Sequence, residues 1–138
     1  MIKIVSKQTV NGETDKINIE TLGSYVEKGD KKFILYKEYD ISQPKKHITS
    51  IVKIENENLI ELIRYGKHIT RFTLEKNKRH HCQYGTEFGP ILMGVFTENI
   101  RINLQDTCGN IYIKYSIDLN SNLVSTNEIN IKIKKIGE

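Results

Sequence analysis

The chain has 138 residues, 38% of them hydrophobic and 28% charged, with a formal net charge of +4 and a sequence pI near 9.0. That length suits a single domain over residues 1–138 with a core able to stand without covalent staples, and the charge speaks for solubility and weak nonspecific attraction to polyanions. No apolar run approaches the ~18 residues of a membrane helix, and the start MIKIVSKQTV lacks the continuous apolar core of a signal peptide, so no membrane partner and a cytoplasmic location are expected.

In that compartment thiols stay reduced, so Cys82 and Cys108 are expected to be free rather than bridged. Ile2, Ile4 and Ser6 alternate with Lys3, Val5 and Lys7, which predicts a first strand closed by the hairpin dipeptide Asn11-Gly12. A second strand is predicted from Asp15 to Val26. Its phase drifts near Leu22-Gly23, the mark of a bulge or bend where a barrel strand turns a corner. After a turn at Gly29-Asp30, KFILYKEYD puts Ile34, Tyr36 and Glu38 on one face and Phe33, Leu35, Lys37 and Tyr39 on the other. Periodicity alone does not say which face is buried. Pro44 argues against regular pairing in a polar loop from Ser42 to Lys46, and His47 to Glu55 then carries Ile48, Val52 and Ile54 in phase.

The stretch from Leu59 to Gly89 reads as two consecutive hairpins. Ile60, Leu62 and Arg64 alternate with Leu59, Glu61 and Ile63, as in a half-buried strand. A three-residue loop ending on Gly66 would pair Leu62 with His68 and Ile60 with Thr70, gathering Ile60, Leu62, Thr70, Phe72 and Leu74 on one face. A two-residue Gly66-Lys67 turn would exchange the faces. The first register is preferred because it leaves Glu61, Arg71, Thr73 and Glu75 in water. The turn at Lys76 to Lys78 then brings His80, Cys82, Tyr84 and Thr86 onto the inner face.

Phe88-Gly89-Pro90 marks a break, and Ile91, Met93, Val95 and Thr97 set up a strand that turns at Glu98-Asn99. Ile100, Ile102 and Leu104 form the next strand, followed by a glycine-containing loop from Thr107 to Asn110. The clearest alternation is Ile111, Ile113, Tyr115, Ile117 and Leu119 inside, with Tyr112, Lys114, Ser116 and Asp118 outside. Ile129, Ile131 and Ile133 close the chain. No segment carries a 3.6-residue apolar stripe with caps. The fold expected is all-β, a single antiparallel meander closed into a barrel of about eight to ten strands. Its interior is either filled by side chains or wide enough for one small ligand.

One set of positions runs through the whole chain: Tyr36-x-Glu38, Ile60-x-Leu62-x-Arg64-x-Gly66, Phe72, Tyr84-x-Thr86-x-x-Gly89, Thr97, Gly109, Tyr115-x-Ile117-x-Leu119, Asn127 and Ile129. In this order they resemble the YwiB-like family of small bacterial proteins. The resemblance implies a calycin-type, lipocalin-like barrel with a central cavity and no assigned function. It brings no catalytic residue to carry over, and such barrels hold varied apolar molecules, so the analogy does not choose a ligand.

With these phases, Glu38, Arg64, Tyr36, Tyr84 and Tyr115 line one cavity, with His80 on the same face as Tyr84. An inward Glu38 and Arg64 need partners, and each can serve the other. Two readings stay open. In one, Arg64 receives a carboxylate or phosphate through its planar fork while the tyrosines flank an apolar body. In the other, the ion pair and tyrosine hydrogen bonds merely close one end of the barrel.

Other constellations promise less. His80 and Cys82 share a strand face while His81 points away, and no CxxC or HExxH pattern completes a zinc set, so no metal or other cofactor is expected. No nucleophile, base and stabiliser can be assembled, which puts an enzyme last. The basic groups Lys76, Lys78, Arg79, His80 and His81, and separately Lys132, Lys134 and Lys135, would need exposed aromatics for stacking. Tyr112 and Phe96 are the available platforms, but the sequence does not set their strands beside the lysine-rich loop, so solvated faces are favoured over nucleic acid. The leading expectation is a noncatalytic binder of a small ligand. The alternative is an interaction module that meets a protein, an RNA or a second copy in a homodimer through an outer face carrying Leu92, Phe96 and Tyr112.

Overall fold

The computed structural model describes residues 1–40, 43–105 and 108–134, with side chains left aside from 39 to 46. Alternation becomes strand throughout: β1 (Ile2–Val10), β2 (Glu13–Thr21), β3 (Gly23–Lys28), β4 (Lys31–Asp40), β5 (Gln43–Asn56), β6 (Leu59–Tyr65), β7 (Ile69–Glu75), β8 (Arg79–Thr86), β9 (Gly89–Gln105), β10 (Cys108–Leu119) and β11 (Asn122–Lys134). Among the described residues there is no helix. The strands form one antiparallel sheet in the order β2-β1-β11-β10-β9-β8-β7-β6-β5-β4-β3.

β2 and β3 end that order at opposite sides, yet only Leu22 separates them in the chain, so the sheet is bent into a nearly closed barrel. Gly23 makes the corner. A Cβ there would collide with the Ile2 side chain and the Leu35 carbonyl, so only glycine lets the strands approach this closely. Thr21 Oγ1 spans the remaining gap, donating to the Lys37 carbonyl at 3.3 Å. At the first hairpin, Asn11 and Gly12 both take positive φ (52° and 80°), the geometry a two-residue turn needs to follow the strand twist.

The inner face is aliphatic at its centre. Ile34, Ile60, Leu74, Ile111, Ile113 and Ile131 are fully buried, and each such side chain contributes about 1.5–3 kcal/mol through lost apolar surface.

Several expectations need correction. The Gly66 turn has three residues, but the glycine is first and not last: Tyr65 pairs with Ile69, Leu62 with Phe72 and Ile60 with Leu74. The slip of four residues preserves parity, so Ile60, Phe72 and Leu74 are buried together as expected. There is no turn at Glu98-Asn99. β9 runs straight through, and the pairing with β10 shifts between Lys114 and Tyr115, leaving one extra residue as a bulge. The strand predicted from Asp15 to Val26 breaks into β2 and β3, and with these changes the count reaches eleven.

β5 begins at Gln43, whereas a loop was expected through Lys46; Ser42 lies outside the described residues. Tyr39 pairs with His47 and Asp40 with Gln43, so Pro44 stands in the bulge between them, where no ladder hydrogen bond is asked of it. Gly109 is inside β10, opposite Leu104, because the turn falls before Cys108; Thr107 lies outside the described residues. Leu119, placed inside by alternation, is 40% exposed at the end of its strand.

The wall is weakest between β7 and β8, where the backbone ladder has the single pair Arg71 and Gln83. Side chains replace the missing bonds. The Thr73 amide donates to Cys82 Sγ at 3.3 Å, and the Gly85 amide donates to Thr70 Oγ1 at 3.2 Å.

Candidate functional site

The register of β4, β5, β6 and β7 sets Tyr36, Ser50, Arg64 and Thr70 in one row across the inner face. Paired antiparallel residues share a face, so this row is polar by sequence and lies directly beyond the aliphatic centre. Glu38 lies two residues further along β4. Arg64 Nη2 donates to its Oε2 at 3.0 Å, with the side chains 48% and 22% exposed respectively. The pair therefore stands at the barrel mouth, where solvent screening keeps its own stabilising effect small.

From the opposite wall β10 contributes Tyr115, which is buried. Phe72 joins the two sides: its ring meets Tyr115 edge-on at 6.2 Å between centroids and Tyr84 at 6.4 Å, tilted by 32°. Tyr84 is 39% exposed and forms the outer lip. Burial pushes the Tyr115 hydroxyl up to about 12, with the Arg64 charge pulling it part of the way back and Tyr36 adding to the rise. Tyr36 is likewise pushed up to about 12, chiefly by burial and then by the Glu38 carboxylate. Ser50 and Arg64 offset part of this. Both phenols thus stay neutral donors at physiological pH.

Among the described residues two hydroxyls in the barrel lining lack partners. Ser50 Oγ and Thr97 Oγ1 are buried and make no hydrogen bond. Ser50 opposes Tyr36 across the β4–β5 pair and acts on its phenolic proton, but its hydroxyl is not in the geometry of a formed hydrogen bond. Thr97 opposes Tyr115 on β9, and Asn127 opposes it on β11, where Asn127 Nδ2 donates to Ser125 Oγ at 3.0 Å. Buried hydroxyls are ordinarily satisfied, so the unpartnered Ser50 between Tyr36 and Arg64 is an exception in this wall.

Five of the six residues singled out by sequence meet here: Tyr36, Glu38, Arg64, Tyr84 and Tyr115. His80 does not join them. It lies four residues from Tyr84 on β8 and hydrogen-bonds Glu75 at 2.8 Å beside the β7–β8 turn. Ser50, which sequence reasoning passed over, was signalled by its place in phase with Ile48, Val52 and Ile54: a hydroxyl interrupting an apolar row. An open cleft of about 460 Å³ lies at the β2–β3 corner, lined by Thr21, Gly23, Ser24, Lys37 and Thr49 among others, and it shares Tyr36 with this row.

The remaining constellations resolve into local pairs. Arg79 holds Asp118 through two bonds of 2.9 and 2.6 Å, and Lys78 pairs with Glu75 at 3.4 Å. Lys132 and Lys134 are exposed on β11, while Lys135 lies outside the described residues. Tyr112 is stacked by the Arg101 guanidinium at 4.5 Å. Cys82 is a buried free thiol and Cys108 an exposed one. Among the described residues no group of three or more His, Cys, Asp or Glu could hold a metal ion, and no helix is long and apolar enough to cross a membrane.

Comparison with known proteins fits this picture. No curated protein matches the chain. Among solved structures it is similar to the ywiB protein from Bacillus subtilis, with a TM-score of 0.84 and 20% identity over 99% of this chain and 90% of that one; at this identity the likeness speaks for the fold alone. Residues 2–131 match the family described as "Domain of unknown function (DUF1934)", and the chain belongs to that family.

Proposed function

We propose that the protein is a noncatalytic binder of a small, partly apolar anion, seated at the mouth of a calycin-like barrel. The observation that carries this reading is the buried, unpartnered Ser50 hydroxyl between Tyr36 and Arg64. Arg64 spends one nitrogen on Glu38, leaving further N–H donors of its fork for a carboxylate or phosphate. Ser50 and the neutral Tyr36 phenol supply further donors, while Phe72, Tyr84 and Tyr115 offer ring surface to an apolar body. The free thiols fit a cytoplasmic setting.

Native mass spectrometry of the purified protein, together with calorimetry against aryl carboxylates and aryl phosphates, tests the proposal. A retained anionic molecule or saturable binding is expected, lost in Arg64→Ala and weakened in Arg64→Lys, which keeps the charge but not the fork. Absence of binding to every probe, with no retained molecule, would overturn it.

A second reading rests on the β8–β9 hairpin, where Phe88 is 93% and Leu92 64% exposed. Apolar side chains offered to water in this way suit contact with a protein partner. Phe88→Asp with Leu92→Asp should then abolish that contact while leaving anion binding intact.

A further inference from the structure

β2 is paired on one side only. β1 hydrogen-bonds its inner edge along its length, and among the described residues the other edge meets the sheet at Thr21, through the contact with Lys37. Along Glu13 to Glu20 every second residue therefore turns its backbone donor and acceptor away from β1, unpaired among the described residues. Every residue of this run except the half-buried Ile19 is exposed, Ile17 at 60%. An edge of this length invites another strand unless its side chains forbid it.

We infer that β2 is a self-pairing edge on which a second copy of this chain docks antiparallel, centred on Asn18. A two-fold axis normal to the sheet requires opposed residues to share a face, so only registers whose residue numbers sum to an even value are admissible. Centring on Asp15 or Lys16 sets like charges directly opposite each other, which is unfavourable. Centring on Ile17 leaves Asp15 against an isoleucine. Centring on Asn18 sets Lys16 opposite Glu20 of the partner subunit and Ile17 opposite the partner's Ile19, and symmetry makes each contact twice. On the outer face this gives two ion pairs flanking an amide pair. On the inner face it adds two isoleucine pairs.

The existing charges point the same way. Lys16 faces Lys7 across the β1–β2 pair, a like-charge opposition, and among the described residues it has no carboxylate in ion-pair range. The partner's Glu20 would stand on its other side. Within one copy Glu20 meets Lys3 at 3.6 Å in solvent, a contact loose enough to be shared.

Sedimentation equilibrium on the full chain across a concentration series tests the inference, with circular dichroism melts reporting the fold of each variant. The natural chain should dimerise. Lys16→Glu and Glu20→Lys should each weaken the dimer about tenfold, since each places two like-charge oppositions in the interface. The double exchange should restore it, and Ile17→Lys should abolish it, all four variants keeping the barrel because the changes are on an exposed edge. A monomeric natural chain, or a dimer that ignores the single charge reversals, would overturn the inference.

Discussion

Arg64 on β6 reaches Glu38 on β4 by passing over Ser50 on the strand between them. The arrangement has an energetic consequence. Because the Arg64 side chain is 48% exposed, its ion pair belongs to the class of screened surface pairs, and Arg64→Ala should cost about 1 kcal/mol or less by urea unfolding. A loss several times larger would mean that the guanidinium holds the mouth together, the purely structural alternative. Glu38→Gln frees the fork and removes a carboxylate that repels anions. It should tighten binding of an aryl carboxylate several-fold, read by calorimetry.

The tyrosines predict an alkaline limit. Tyr115 is neutral in both folded and unfolded chains below about pH 10. Above that value the unfolded chain loses the phenolic proton while the folded one keeps it to about 12. The unfolded state then binds fewer protons, so stability falls as pH rises through this window. For one group the fall is on the order of 2 kcal/mol. Urea unfolding at pH 8.5 and pH 11.5, compared between the natural chain and Tyr115→Phe, isolates it. The variant should lose less stability across the two pH values, and equal losses would show that Tyr115 is not shielded.

Parity explains what was legible in the sequence. Side chains repeat every two residues, so the inner faces of β6, β7 and β10 follow from alternation even where the register was misplaced by four. The meeting of Tyr36, Arg64 and Tyr115 needed only that each be in phase with its strand. Long-range placement is a different matter. Whether β9 turned at Glu98 depended on a bulge opposite Tyr115, which has no local sequence mark. His80 has the correct parity but the wrong end of β8, because alternation fixes a face and says nothing about depth along it.

Cys82 offers a test of the thin β7–β8 seam. Burial pushes its thiol up, with the Thr73 amide opposing that rise. A neutral, enclosed thiol reacts slowly. Ellman's reagent should therefore label one thiol per chain, the exposed Cys108, before unfolding and both afterwards. Cys82→Ala removes the acceptor for the Thr73 amide and leaves a small void, and should cost about 1–3 kcal/mol. Cys82→Ser, which keeps an acceptor, should cost less. If the two variants melt alike, the sulfur contact adds nothing to the seam.

Asp118 is held by Arg79, which lies across Gly94 to reach it. A Cβ on Gly94 would collide with the guanidinium, so the glycine keeps the path open. The hydrogen bonds from Arg79 hold the Asp118 carboxyl below its usual range. A depressed folded value means the unfolded chain takes up the proton first as pH falls. The stability contributed by this carboxylate is thus present above about pH 4 and is lost on acidification through the folded value. Asp118→Asn should flatten the dependence of stability on pH below that point, measured by urea unfolding at closely spaced acidic pH. Gly94→Ala should do the same by displacing Arg79, and combining the two should add little, since both remove one interaction. Full additivity of the two changes would show that Gly94 serves some purpose other than clearing the path of Arg79.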